Sequence, residues 1–173
     1  MEIASIAVVL KQNELLFADM YRECVRLFPD YAREFEALAL EEEGHAAIID
    51  SVIEEISEHP ENWRQGKVTL QTLRFIQNQI KATLKEIRQG QCDPHYAITA
   101  LRSYEQSMCE RSVEKALESD VAEFKHLLSL VAEGFATHLR CLQELEHKIF
   151  KTSDVFDSLD ELNGKTHKTE EHK

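Results

Sequence analysis

The sequence predicts an all-α protein in which four long helices pack as two antiparallel pairs, joined by a long crossover that carries an extra helix. Three observations predict it. The 173 residues include only five glycines and three prolines, too few breakers for a turn-rich fold. Apolar residues recur at alternating four- and three-residue intervals, the spacing by which a helix turns one face to a core. The prolines and the capping residues fall between these periodic stretches. At this length a 43% apolar composition is enough for the core of one domain.

The first helix runs from about Ile3 to Phe28 and stops before Pro29, because proline pushes the preceding residue out of helical geometry. Its inward stripe passes through Leu10, Glu14, Phe17 and Tyr21. Asp30 is placed to cap the second helix, which continues to about Glu58, ahead of His59-Pro60. Its stripe reads Tyr31, Phe35, Leu38, Glu42, His45, Ile49, Val52, Ile56. Glu61 to Lys67 reads as a loop, with Trp63 anchoring the crossover, and the crossover helix spans about Val68 to Arg88 and ends at Gly90. Asp93 caps the third helix with Pro94 at its first position, and that helix reaches about Glu118 with Ile98, Leu101, Glu105, Met108 and Ser112 inward. Asp120 is placed to cap the fourth helix, which extends to about Phe150 along Phe124, Leu128, Val131, Phe135, His138, Leu142, Leu145 and Ile149. Residues 1–150 thus form the bundle. Residues 151–173 form a polar tail, disordered from Asn163 to Lys173.

A net charge of −12 and a pI near 5.1 exclude a nucleic-acid surface, which needs concentrated Lys and Arg. Cys24, Cys92, Cys109 and Cys141 lie far apart with no Cys-x-x-Cys pair, so they read as reduced, scattered thiols rather than a zinc or iron site. Ile3 to Leu10 is apolar but short and follows Glu2 rather than a basic region, which is unlike a signal peptide. No window approaches a membrane span. A cytoplasmic, soluble protein is expected.

The informative feature is the set of polar residues that interrupt the inward stripes. Glu14, Glu42 with His45, Glu105 and His138 stand where leucines belong, at least one on each long helix. The two halves look like a duplication, with 31 residues from Glu14 to His45 and 33 from Glu105 to His138. In one layer of an antiparallel bundle these groups surround a single point. Three carboxylates there repel one another by roughly 4 kcal/mol per pair at about 4 Å and an effective dielectric near 20. No Lys or Arg lies on these stripes within a turn of the layer; protonation could neutralise the carboxylates, but a di- or trivalent metal ion removes the repulsion more completely, accepts imidazole nitrogen as well and is the expected compensation.

This order of residues, Glu14 with Phe17 and Tyr21, then Glu42-x-x-His45, then Glu105 and His138, resembles the ligand order of rubrerythrins and their ferritin-like relatives, over about residues 3 to 150. The resemblance implies a ferritin-like four-helix bundle around a carboxylate-bridged di-iron centre, with Glu14, Glu42, His45, Glu105 and His138 as metal ligands. It implies iron as the cofactor, oxidoreductase activity of peroxidase type that passes two electrons to peroxide or dioxygen, and a bundle that self-associates as a dimer or another homo-oligomer. Many rubrerythrins carry a rubredoxin domain. With no Cys-x-x-Cys pair here, a separate rubredoxin-like or flavin electron donor is implied.

One position departs from the pattern. The family asks for Glu three residues before His138, and this chain has Phe135. The second site then keeps Glu105, His138 and a share of Glu42, unless a π-bulge turns Glu133, five residues before His138, inward. The alternative reading is a non-catalytic helical interaction module with a degenerate or mononuclear metal site. A hydrolase built on the same acidic cluster fits poorly, because a closed bundle core admits no large substrate.

Overall fold

A computed structural model describes residues 2–110 and 113–166, with side chains described for 2–108 and 113–151. The first helix, α1 (Glu2–Leu27), ends one residue before the Phe28-Pro29 junction. A single 3₁₀ turn, Pro29–Tyr31, reverses the chain into α2 (Ala32–Glu58). Asp30 does not cap α2 as expected. The turn places Tyr31 at the N-cap with no side-chain hydrogen bond, and the 3₁₀ geometry itself connects the two helices.

The expected loop after His59-Pro60 contains a short strand, β1 (Trp63–Gln65). Trp63 is buried and its ring lies 5.4 Å from that of Phe124, so it anchors the crossover against the start of the last long helix. The crossover helix α3 (Leu70–Arg88) begins two residues later than expected, because Thr69 is the cap, its hydroxyl accepting from the Thr72 N–H. It closes at Gly90, with the Gly90 N–H bonded to Ile87 O and the Gln91 N–H to Glu86 O, the paired bonds of a helix terminated through a left-handed glycine.

The third long helix, α4 (Pro94–Glu110), starts where predicted, with Asp93 accepting from the His95 N–H. It is shorter than predicted. A separate turn of helix, α5 (Val113–Ala116), leads into β2 (Leu117–Ser119), which pairs antiparallel with β1 in the register Trp63 with Ser119, Arg64 with Glu118 and Gln65 with Leu117. The all-α expectation therefore gains a two-stranded ribbon. Asp120 does not cap the next helix; it forms a two-point pair with the Arg64 guanidinium, and Ser119 Oγ accepts from the Val121 N–H. The last helix, α6 (Ala122–Thr166), continues past Phe150. No proline interrupts it, so a polar composition alone did not end it, and the predicted tail is helical through Thr166. The expected disorder of 167–173 and the side chains of Cys109 and Ser112 lie outside the described residues.

α1 packs along α2, α4 along α6, and the two pairs meet through α2 with α6 and α1 with α4. α3 covers α1, tied by Arg88 to Glu23 and Asp19 and by the side-chain amide of Gln77 to Gln12 Oε1. Every inward residue predicted for α1, and all of those for α2 except Tyr31, is buried. Along α6 the same holds from Leu128 to Leu145, with Phe124 and Ile149 half-buried at the ends. Among the described cysteines Cys24, Cys92 and Cys141 are free thiols, and burial pushes that of Cys24 up to about 12. No helix among the described residues is long and apolar enough to cross a membrane.

Candidate metal centre

The five polar residues predicted to converge do so. Glu14 on α1, Glu42 on α2, Glu105 on α4 and His138 on α6 have no exposed surface, and His45 on α2 keeps only 8%. The three- and four-residue phase explains this placement. Glu42 and His45 occupy one face of α2 between Leu38 and Ile49, and His138 falls between Phe135 and Leu142 on α6.

Glu42 is the hub. One oxygen, Oε1, lies 2.8 Å from His138 Nδ1, and the other, Oε2, lies 3.2 Å from His45 Nδ1. Each imidazole then has a second carboxylate, since Glu14 Oε2 is 3.5 Å from His45 Nδ1 and Glu105 Oε1 is 3.7 Å from His138 Nδ1. The two imidazole rings stack 5.4 Å apart. Tyr21 donates its hydroxyl to Glu105 Oε1 at 2.6 Å and sets its ring edge-on to His138. Ligand atoms of Glu42, His45 and His138 all lie within 4.8 Å of one another, so these three could hold one metal ion.

Without an ion the cluster answers its own charge with protons. Burial would raise Glu42, but hydrogen bonds from His138 and His45 outweigh it and hold the carboxylate at about 2. Burial would lower both histidines, yet the surrounding carboxylates carry His45 to about 9 and His138 to about 11. Glu14 is raised well above its usual range by burial and by the charge on Glu42, and Glu105 rises to about 7 for the same two reasons. With no Lys or Arg on the inward stripes, the two histidines are the cations that face these carboxylates.

A pH dependence follows. Both histidines hold protons more tightly folded than unfolded, so their contribution is complete below about 6.5 and is lost as pH rises through about 9 and about 11. The raised Glu105 adds a cost as pH climbs from its ordinary 4.5 through about 7, while Glu42 contributes above 4.5 and fails only toward 2. The chelator-treated protein should therefore be most stable near pH 5 to 6 and weaken toward pH 9, whereas affinity for a divalent ion should rise over the same range, because the ion must displace protons. Denaturation midpoints from pH 5 to 9, compared with a His45→Gln, His138→Gln double variant, check this. Identical slopes in the two proteins would contradict it.

Protons leave one part of the cluster unserved. Both oxygens of Glu14 and Oε2 of Glu105 are buried without a well-formed hydrogen bond, the His45 Nδ1 contact to Glu14 Oε2 being a long 3.5 Å, and a buried carboxyl so poorly served is costly whether charged or neutral. A cation held by Glu42 and His45 would answer the charge of Glu14, which stands 3.5 Å from His45 Nδ1. By this test the residues fit a metal ion.

Two features decide how the site is built. Phe135 is fully buried with its ring 6.2 Å from that of His45, so a hydrocarbon wall stands where the resemblance led to the expectation of a carboxylate. Glu133 does not replace it. That residue is exposed and accepts from Ser129 Oγ at 3.3 Å, and α6 runs through it as an unbroken α-helix, so the π-bulge expectation is not met.

The second feature is Gly134, which the sequence reading passed over except as a neighbour of Glu133. A Cβ built on it would lie 2.2 Å from His45 Cε1 and 2.4 Å from Nε2. A mid-helix glycine costs up to about 1 kcal/mol relative to alanine, and here that cost makes room for an imidazole. Gly134→Ala should displace His45, lower metal-free stability because the shifted imidazole loses Glu42 and Glu14, and weaken metal binding by about 10- to 100-fold. Paired melting and metal-titration curves check both effects, and undiminished binding would show that His45 is not a ligand. Two other residues escaped the sequence reading. Asn13 is fully buried with neither amide atom partnered, and the exposed Glu41 reaches His138. No family model, curated protein or solved structure matches the chain.

Proposed function

We propose that the chain is a ferritin-like, rubrerythrin-type metal-binding protein whose bundle core holds iron. One observation carries the reading: a buried carboxylate, Glu42, is shared by imidazoles from two separate helices, and each imidazole has a further carboxylate beside it. Two ions, if both were bound, would be held by Glu14, Glu42 and His45 and by Glu105, Glu42 and His138. Oxygen and imidazole ligands together suit iron and its neighbours in the first transition row. Iron bound there would supply two electrons to peroxide or dioxygen.

The chain's own residues then have definite tasks. Glu42 accepts from both histidines and sets the distance between the two halves. Tyr21 fixes Glu105 through a 2.6 Å hydrogen bond and holds a proton within the cluster. Phe135 and the surrounding apolar layer exclude water, which strengthens every charge interaction inside. Electrons come from a separate donor protein, and the bundle self-associates in the cytoplasm.

Phe135 favours a second reading, a non-catalytic helical module with one ion at Glu42, His45 and His138. Elemental analysis of protein loaded anaerobically with ferrous iron separates the two. Two irons per chain and an oxo-bridge absorption on oxidation support the redox protein, and one iron or none, without that absorption, supports the module.

A further inference from the structure

We propose that Glu41 is a positioning residue for this centre: from the outer surface of α2 it grips His138 through Nε2, so that Nδ1 is the nitrogen presented to an ion at Glu42. The proposal rests on the metal-binding reading above. His138 has no exposed surface, yet its ring spans the bundle wall from core to rim. Nδ1 faces Glu42 Oε1 at 2.8 Å and Glu105 Oε1 at 3.7 Å, while Nε2 lies 2.9 Å from Glu41 Oε2. The Glu41 side chain is 56% exposed. Consecutive residues of one helix thus take opposite nitrogens of one ring, the inner by Glu42 and the outer by Glu41.

The chemistry of imidazole gives that grip a purpose. A carboxylate only accepts, so Nε2 must carry a proton to satisfy Glu41, and a neutral ring with its proton on Nε2 has its lone pair on Nδ1. An ion arriving at Glu42 finds the ligand nitrogen in the right tautomer and held by two contacts at a fixed tilt. Partners of this kind orient ligand imidazoles and raise their basicity.

The corresponding residue in the other half is held differently. His45 Nδ1 faces Glu42 and Glu14, but among the described residues no acceptor meets its Nε2, which lies against Gly134. The two histidines are therefore unequal, His138 tethered and His45 seated in a notch. Glu43 shows that a surface acid here has other choices, since it pairs with Arg22 Nη2 at 2.7 Å.

The test uses full-length, chelator-treated protein with ¹⁵N-labelled histidine and Co²⁺ as the probe. In the wild type the His138 Nε2 proton should exchange slowly with water, and in Glu41→Ala it should exchange fast. Glu41→Ala should bind Co²⁺ about 10- to 100-fold more weakly, Glu41→Gln, which keeps an acceptor oxygen, should recover most of that loss, and Glu43→Ala should match the wild type. A merely structural surface contact would speed the exchange but leave cobalt affinity unchanged. Equal cobalt affinity in wild type and Glu41→Ala overturns the assignment. A wild type that takes up no cobalt sinks the metal-centre reading instead, and this role with it.

Discussion

Replacing Glu42 with alanine is expected to abolish metal uptake and to destabilise the metal-free protein by about 3 kcal/mol, the low end of the loss when one partner leaves a buried ion pair. Both effects have one origin. Among the described residues Glu42 is the only carboxylate within hydrogen-bonding distance of both imidazoles, at 2.8 Å and 3.2 Å, and together with Glu14 and Glu105 it keeps them protonated in the core. Without it each histidine loses one of the carboxylates that raise it, Glu14 and Glu105 lose a charge that adds to burial in raising them, and no shared ligand remains. Glu42→Gln separates charge from shape, since it keeps the acceptor oxygen but not the anion. Metal content by elemental analysis, read with melting curves, decides the matter, and unchanged content would remove Glu42 from the ligand set.

Phe135→Glu should act in opposite directions on the two forms of the protein. Metal-free, it deletes a fully buried ring and adds a carboxyl beside three others, so a loss of at least about 3 kcal/mol is expected. In excess metal the new carboxylate stands three residues before His138, on the face that meets Glu42, and metal content per chain should increase. Binding would then return about 2.7 kcal/mol when the free ion stands at 100 times its dissociation constant. A variant that is destabilised and gains no metal would show that Phe135 does not occupy a ligand's place.

Much of this site could be read from residue spacing. Glu14, Glu42, His45, Glu105 and His138 were found inward because apolar neighbours three and four positions away set the phase of each helix, and a helix transmits that phase rigidly. What spacing could not supply was contact between elements. Glu41 appeared as one acid in a run of three, and nothing local to α2 reveals that the His138 ring reaches it from α6. Gly134 was legible in principle, as a glycine inside a helix with no turn to explain it, but its neighbour His45 is remote in sequence. Asp30 and Asp120 were misread for a related reason. Capping residues are recognised by their position before a helix, and here a 3₁₀ turn and an arginine on a distant strand had prior use of those positions.

The ribbon β1–β2 bears on how the protein comes apart. It sits between α2 and α3 on one side and between α5 and α6 on the other, so it ties the segment that follows Glu42 and His45 to the segment that precedes His138. Separating the two hairpins requires breaking this clasp, including the Arg64 to Asp120 link and the Trp63 packing on Phe124. The halves of an apparent duplication therefore cannot open one at a time at that end.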